Sequence, residues 1–175
     1  MNKATRDERT VPELVRDLGA ALQTRGWRLA VAESCTGGGL GATITDQPGS
    51  SVFFLGGVVA YDNRLKRTLL GVTDETLAEF GAVSLHVAER MAAGCRLRLD
   101  ADVAVSITGI AGPGGGIADK PVGLVFIGVS TAATTAAARF VFSGDRADVR
   151  RRAVQAALHL ALDAVRCLDG VERTR

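Results

Sequence analysis

Apolar residues first recur at helical spacing: Leu14, Val15, Leu18 and Leu22 line one face. Thr10-Val11-Pro12-Glu13 supplies a capping box with proline in the first turn, and Gly26 ends the helix. Residues 28–32 form a short apolar strand, and residues 36–45 read as a second helix opened by glycines. A turn at Gln47-Pro48-Gly49-Ser50-Ser51 precedes a strand at 57–61, and a basic helix covers 63–70. Thr73 caps a further helix with Asp74 and Glu75 in its first turn. Residues 84–99 carry a buried stripe of Ala88, Met91, Ala92 and Cys95. Residues 102–108 alternate with the strand period: Val103, Val105 and Ile107 against Ala104, Ser106 and Thr108. A glycine-rich loop at 109–116 leads to strands at 122–130 and 137–142, read as a hairpin. Ser143-Gly144-Asp145 opens the last helix, with Val149, Ala153, Ala156, Ala157, Leu160 and Ala164 as its stripe.

Strands separated by helices, followed by a hairpin, predict an α/β fold. It is a layered α/β/α sandwich with a mostly parallel, mixed sheet and helices on both faces. One domain over 10–170 accommodates these elements, with flexible tails at 1–9 and 171–175. In such sheets ligands bind beyond the carboxyl ends of the strands. Glu33-Ser34, Tyr61, Thr108-Gly109 and Ser143 to Arg146 stand at such ends.

Composition narrows the functional classes. Twenty-one basic residues against 19 acids give a net charge of +2, without the concentrated basic face of a nucleic-acid binder. No apolar run approaches the ~20 residues of a membrane span, and the polar start of the chain is no signal peptide. A cytoplasmic protein with no membrane or nucleic-acid partner is expected. Cys35, Cys95 and Cys167 lack metal-ligand spacing and only two histidines are present, so no metal or cofactor is expected.

Two glycine loops follow strands. Ser34-Cys35-Thr36-Gly37-Gly38-Gly39 opens a helix, where free N–H groups suit a phosphate or an oxyanion. Gly109 to Gly116 is the second, and no Gly-Lys-Ser/Thr follows it to make a Walker loop. A serine nucleophile needs a base, and neither His86 nor His159 is placed to serve. Lys66, with Tyr61 as relay, is the available partner if it is partly desolvated; a solvated helix lysine is the competing reading. Arg146 can hold a phosphate or carboxylate, or lie on the surface. The residues themselves leave Ser34 and Ser51 as rival nucleophiles. Gly37-x-Gly39-x-x-Ala42, with Asp62 about 20 residues on, also fits a dinucleotide fingerprint.

Seven motifs in order carry a resemblance: Ala32-Glu33-Ser34-Cys35-Thr36-Gly37-Gly38, Pro48-Gly49-Ser50-Ser51, Tyr61-Asp62-Asn63-x-x-Lys66, Gly81-Ala82-Val83-Ser84, Thr108-Gly109-Ile110-Ala111-Gly112-Pro113, Lys120-Pro121-Val122-Gly123 and Phe142-Ser143-Gly144-Asp145-Arg146. Together they resemble the CinA C-terminal domain family, which includes stand-alone nicotinamide-nucleotide amidases. The resemblance implies hydrolysis of nicotinamide mononucleotide to nicotinate mononucleotide and ammonia without a metal, as in pyridine nucleotide recycling. It implies Ser51 as nucleophile, Lys66 as general base and Tyr61 as its assistant. Ser34 and Thr108 would orient the amide or stabilise its oxyanion, and Arg146 would bind substrate by charge. Thr36, Gly37, Gly38, Gly109 and Gly112 would line the substrate site, with Glu33 and Asp62 as candidate acids for the ring cation. Asp62 departs from the Ser or Thr common beside the tyrosine, and Gly114 from an acid frequent in the loop. The partner is a small-molecule nucleotide, and the small apolar domain is expected to form a homo-oligomer. A non-catalytic regulatory module, tied to the family's competence and DNA-damage associations, is the rival.

Overall fold

Thr10 starts the first helix as its spacing demands: its hydroxyl accepts the Glu13 N–H, and the Glu13 carboxylate accepts the Thr10 N–H at 2.7 Å. The structure, a computed structural model, describes residues 9–167. The expected flexible tails lie outside the described residues except for Arg9, whose guanidinium pairs with Asp17 at 2.9 Å. Among the described residues six α-helices, α1 (Val11–Arg25), α2 (Gly39–Thr45), α3 (Asn63–Leu70), α4 (Asp74–Phe80), α5 (Leu85–Arg98) and α6 (Arg146–Cys167), surround five strands. The strands are β1 (Leu29–Glu33), β2 (Phe54–Val59), β3 (Val103–Gly109), β4 (Leu124–Ser130) and β5 (Thr135–Val141).

The sheet order is β2-β1-β3-β4-β5. β1 pairs in parallel with β2 and β3, while β3–β4 and β4–β5 are antiparallel. β5 therefore runs in the same direction as β1, β2 and β3. The carboxyl ends of all four meet at one rim, together with the start of β4.

Each sheet face has its own core. Val31, Val103, Val105, Ile107, Val125 and Ile127 pack against α1 and α6. Ala30, Ala32 and Ala104 pack against Leu70, Val87, Met91 and Cys95 on the other side. The result is a three-layer α/β/α sandwich. Small residues on the second face let α5 approach closely. The Ser106 hydroxyl donates to Ala88 O at 2.5 Å, and a Cβ on Gly128 would meet that carbonyl oxygen at 2.5 Å.

Several local expectations differ from the structure, among them the strand expected at 57–61, which is β2 at Phe54–Val59. The alternation of β3 marks a strand without fixing its burial: residues 103–108 are all buried, because the small face lies under α5. The α6 stripe is broader than expected: Val154, Leu158, Leu162 and Val165 are buried, while Ala156 and Leu160 are only partly so. The helix faces both the sheet and α1, and so needs a wider apolar surface. Finally, α2 begins at Gly39, because Gly37 and Gly38 adopt φ of 59° and 94° and hold residues 36–38 in a turn.

Candidate active site

Tyr61, Asn63 and Lys66 follow directly on β2 because Asp62 caps α3, its carboxylate accepting the Arg64 N–H at 2.7 Å. That start turns Lys66 inward, and the side chain is only 2% exposed. Its Nζ donates to Tyr61 O at 3.2 Å and to Asn63 Oδ1 at 3.3 Å. Burial lowers the Lys66 pKa from its ordinary 10.5, against the opposing pull of Asp62 and Cys35.

Lys66 lines a pocket of about 290 Å³ at the rim. Ser34 and Cys35 enter it from the end of β1, Thr108 and Gly109 from β3, and Gly112, Gly114 and Gly115 from the glycine loop. Arg146, the first residue of α6, closes one side, donating to Gly112 O at 2.9 Å and to the Tyr61 hydroxyl at 3.2 Å. Ala82 and Val83 form the opposite wall. The Thr108 hydroxyl donates to Ala82 O at 2.7 Å, so toward a ligand it can only accept. Burial pushes the Cys35 thiol up to about 11, which keeps it protonated at neutral pH.

Of the residues singled out from sequence, the structure brings together Ser34, Tyr61, Lys66, Thr108, Gly109, Gly112 and Arg146. It does not bring in Ser51. That serine is exposed on the 3₁₀ turn Ser50–Val52, which precedes β2. The rim lies after β2, and six residues at ~3.3 Å each separate the two by about 20 Å. Ser51 therefore cannot reach Lys66 of its own chain. Neither serine hydroxyl is hydrogen-bonded to the Lys66 ammonium.

Thr36, Gly37 and Gly38 do not line the pocket either. The helix start expected to cradle phosphate is already filled. Glu33, 1% exposed, accepts the N–H groups of Gly38 at 3.1 Å, Leu40 at 3.0 Å and Gly41 at 2.8 Å. A carboxylate in that position excludes a second anion. The same contact removes the dinucleotide reading, whose pyrophosphate would need these amides. It also removes Glu33 as a partner for a ring cation, and the Asp62 carboxylate is used as the cap of α3. An acid at a strand end, just before a glycine-opened helix, was the available signal. Asn63 was missed as well, although it stands three residues before Lys66 on the same helical face.

Among the described residues there is no His/Cys/Asp/Glu cluster able to hold a metal, and no helix long and apolar enough to cross a membrane. Residues 12–165 match the CinA C-terminal domain. A "CinA-like protein" of Synechococcus sp. is 65% identical over 113 residues, covering 65% of this chain. The chain spans about 27% of that relative's length. Among solved structures, the competence/damage inducible protein CihA from Agrobacterium tumefaciens is 40% identical, with TM-score 0.86 over 89% of this chain and 95% of the other. A CinA superfamily protein from Klebsiella pneumoniae is 36% identical, with TM-score 0.85 over 90% and 98%. With its sheet order, its rim pocket and this match over nearly its whole described length, the chain belongs to the CinA C-terminal domain family.

Proposed function

We propose that the chain is an amidohydrolase that converts nicotinamide mononucleotide to nicotinate mononucleotide and ammonia, with Ser34 as nucleophile and Lys66 as general base. The observation that carries this reading is the buried Lys66 ammonium. It is desolvated, held only by two neutral oxygens, and lines the same pocket as the Ser34 hydroxyl. A lysine in that environment loses its proton more readily than a solvated one, as a base for serine must.

In this mechanism the neutral Lys66 amine takes the Ser34 proton as Oγ attacks the carboxamide carbon. The tetrahedral intermediate collapses when Lys66 returns the proton to the departing ammonia. Water then hydrolyses the acyl-serine, again with Lys66 as base. Thr108, whose proton is committed to Ala82, accepts from the substrate NH₂ group and orients it. Arg146 retains N–H groups beyond its two bonds, and with the glycine loop it receives the phosphate that the helix start cannot take.

The test is ammonia release from nicotinamide mononucleotide by purified protein. Ser34→Ala and Lys66→Met are expected to abolish it while remaining folded, and Ser51→Ala is expected to retain the Ser34-dependent chemistry. No release by the wild-type protein at high concentration overturns the amidase reading. Full activity in Ser34→Ala overturns the choice of nucleophile.

A further inference from the structure

Gly81-Ala82-Val83-Ser84 joins α4 to α5, and Lys120-Pro121-Val122-Gly123 returns the glycine loop to β4. The first of these motifs supplies a wall of the pocket from irregular backbone, with Gly81 at a φ of 72°. The carbonyls of Phe80, Gly81 and Ala82 have no backbone donor among the described residues, and a side chain claims each of them. Lys120 Nζ donates to Phe80 O at 2.6 Å, Ser84 Oγ to Gly81 O at 3.0 Å and Thr108 Oγ1 to Ala82 O at 2.7 Å. Ser84 is local to the wall, and Thr108 belongs to β3. Lys120 comes from the far side of the glycine loop.

The loop is tied firmly along its own length. The Ile110 N–H donates to Leu124 O and its carbonyl accepts from Gly123, both at 2.8 Å, while Arg146 holds Gly112 O. Ile117 and Lys120 pair N–H to carbonyl in both directions, at 2.9 and 3.0 Å. These backbone bonds run within the loop, to β4 or to Phe142, and none of them crosses to the Phe80–Val83 wall. Between them, residues 113–116 are exposed. Gly114 and Gly115 line the pocket with N–H groups that donate to nothing among the described residues. Where those two amides point is therefore set by how the loop leans, and Lys120 supplies the hydrogen bond that joins loop to wall.

We infer that Lys120 is a positioning residue for the site: its ammonium straps the glycine loop to the Phe80–Val83 wall and so fixes the aim of the Gly114 and Gly115 N–H groups into the pocket. Lys120 does not itself line the pocket, so it acts through the loop. An ammonium suits this task, because a charge-assisted bond to a carbonyl is shorter and stronger than a neutral one. Gly81 leaves room for it, since a Cβ there would stand 2.9 Å from Nζ. The two motifs are thus the two halves of one contact. Successive free amides in a glycine turn form an anion-binding concavity. On the amidase reading, that concavity and Arg146 receive the substrate phosphate, remote from the reacting amide. The strap then governs substrate binding more than the chemical step.

The strap stands on geometry alone, while its effect on turnover rests on the amidase reading. Hydrogen exchange followed by mass spectrometry on the ligand-free chain tests the strap. Lys120→Met is expected to speed exchange roughly tenfold in peptides spanning 117–124, with peptides of β3 and α5 unchanged. Lys120→Arg keeps a charged donor and is expected to return exchange toward the wild-type rate. Unchanged exchange in the loop, a rise spread through β3 and α5, or Lys120→Arg no slower than Lys120→Met overturns the strap. In wild-type protein that releases ammonia from nicotinamide mononucleotide, Lys120→Met is expected to raise KM roughly tenfold and to leave kcat within about twofold, with Lys120→Arg recovering most of the loss. A fall in kcat at unchanged KM, or an unchanged KM, overturns the link between the strap and substrate binding. Absence of ammonia release by the wild type defeats the amidase reading and leaves the exchange result to decide the strap.

Discussion

Glu33→Gln asks whether the glycine helix start is a cap or an anion site. In the native protein one carboxylate oxygen accepts from Gly38 and Leu40, and the other from Gly41 at 2.8 Å. Glutamine keeps one acceptor oxygen, so it preserves the Gly38 and Leu40 bonds but turns an NH₂ toward the Gly41 N–H. The loss is one charge-assisted hydrogen bond at about 1.5–3 kcal/mol. The lost charge at the helix start adds about 0.3–1 kcal/mol. Urea unfolding followed by circular dichroism should therefore show a cost of roughly 2–4 kcal/mol with the slope unchanged. Binding of inorganic phosphate at the α2 start should remain absent in the wild type. If Glu33→Gln unfolds within about 0.5 kcal/mol of wild type, below what one charged bond contributes, the capping account is wrong and the helix start is again open to a ligand.

Lys66→Met should stabilise the protein by about 1 kcal/mol or more, since a buried ammonium with two long neutral contacts is replaced by an apolar chain; a destabilised variant in urea unfolding would refute this. The sign of the pH dependence follows from the lowered Lys66 pKa. Below it, both folded and unfolded chains hold the proton and the burial cost is fully present. Between it and 10.5 the unfolded chain binds the extra proton, so wild-type stability rises with pH and its deficit against Lys66→Met shrinks. By the same titration, kcat/KM for ammonia release should rise on an acidic limb that ends below 10.5, and a limb at or above the ordinary lysine value would separate Lys66 from the base. Gly128→Ala places a Cβ 2.5 Å from Ala88 O and should cost about 1–3 kcal/mol in urea unfolding through displacement of α5. A thiol reagent at neutral pH should label exposed Cys167 and spare Cys35, whose thiol is raised to about 11; rapid loss of Cys35 would show the pocket to be more open than drawn.

The parts of the fold that local chemistry dictates were legible residue by residue. Thr10 and Glu13 form the capping box their spacing announces, and Asn63–Leu70 is a helix over the residues its pattern marked. Ala88, Met91, Ala92 and Cys95 are the buried face of α5. Where long-range packing decides, pattern was not enough. β2 begins at Phe54 rather than at Gly57, because Gly56 and Gly57 interrupt the apolar period that strand reading depends on. The burial of both faces of β3 follows from its central place in the sheet, which no window of sequence contains.

The site divides along the same line. Ser34, Tyr61, Thr108 and Arg146 follow the ends of different strands, so the rule that ligands sit beyond carboxyl ends assembles them once the strands point the same way. Ser51 shows where that rule should have been applied more strictly. It stands before its strand, at an amino end, and spacing to Lys66 along the chain conceals that the whole of β2 lies between them. Glu33 shows the converse error. An acid at a carboxyl end satisfies the placement rule, yet three amides of the following helix claim it before any ligand can. Position beyond a strand is thus necessary for a group to act here, and an uncommitted polar atom is the second requirement. Ser34 meets both within the chain, with a hydroxyl that lines the pocket and makes no hydrogen bond among the described residues. Ser51, exposed and without a side-chain hydrogen bond among the described residues, meets the second and fails the first: it stands before β2, away from the rim. The activities of Ser34→Ala and Ser51→Ala therefore separate the two requirements: loss in the first with retention in the second is expected, and the reverse outcome refutes the placement rule at this site.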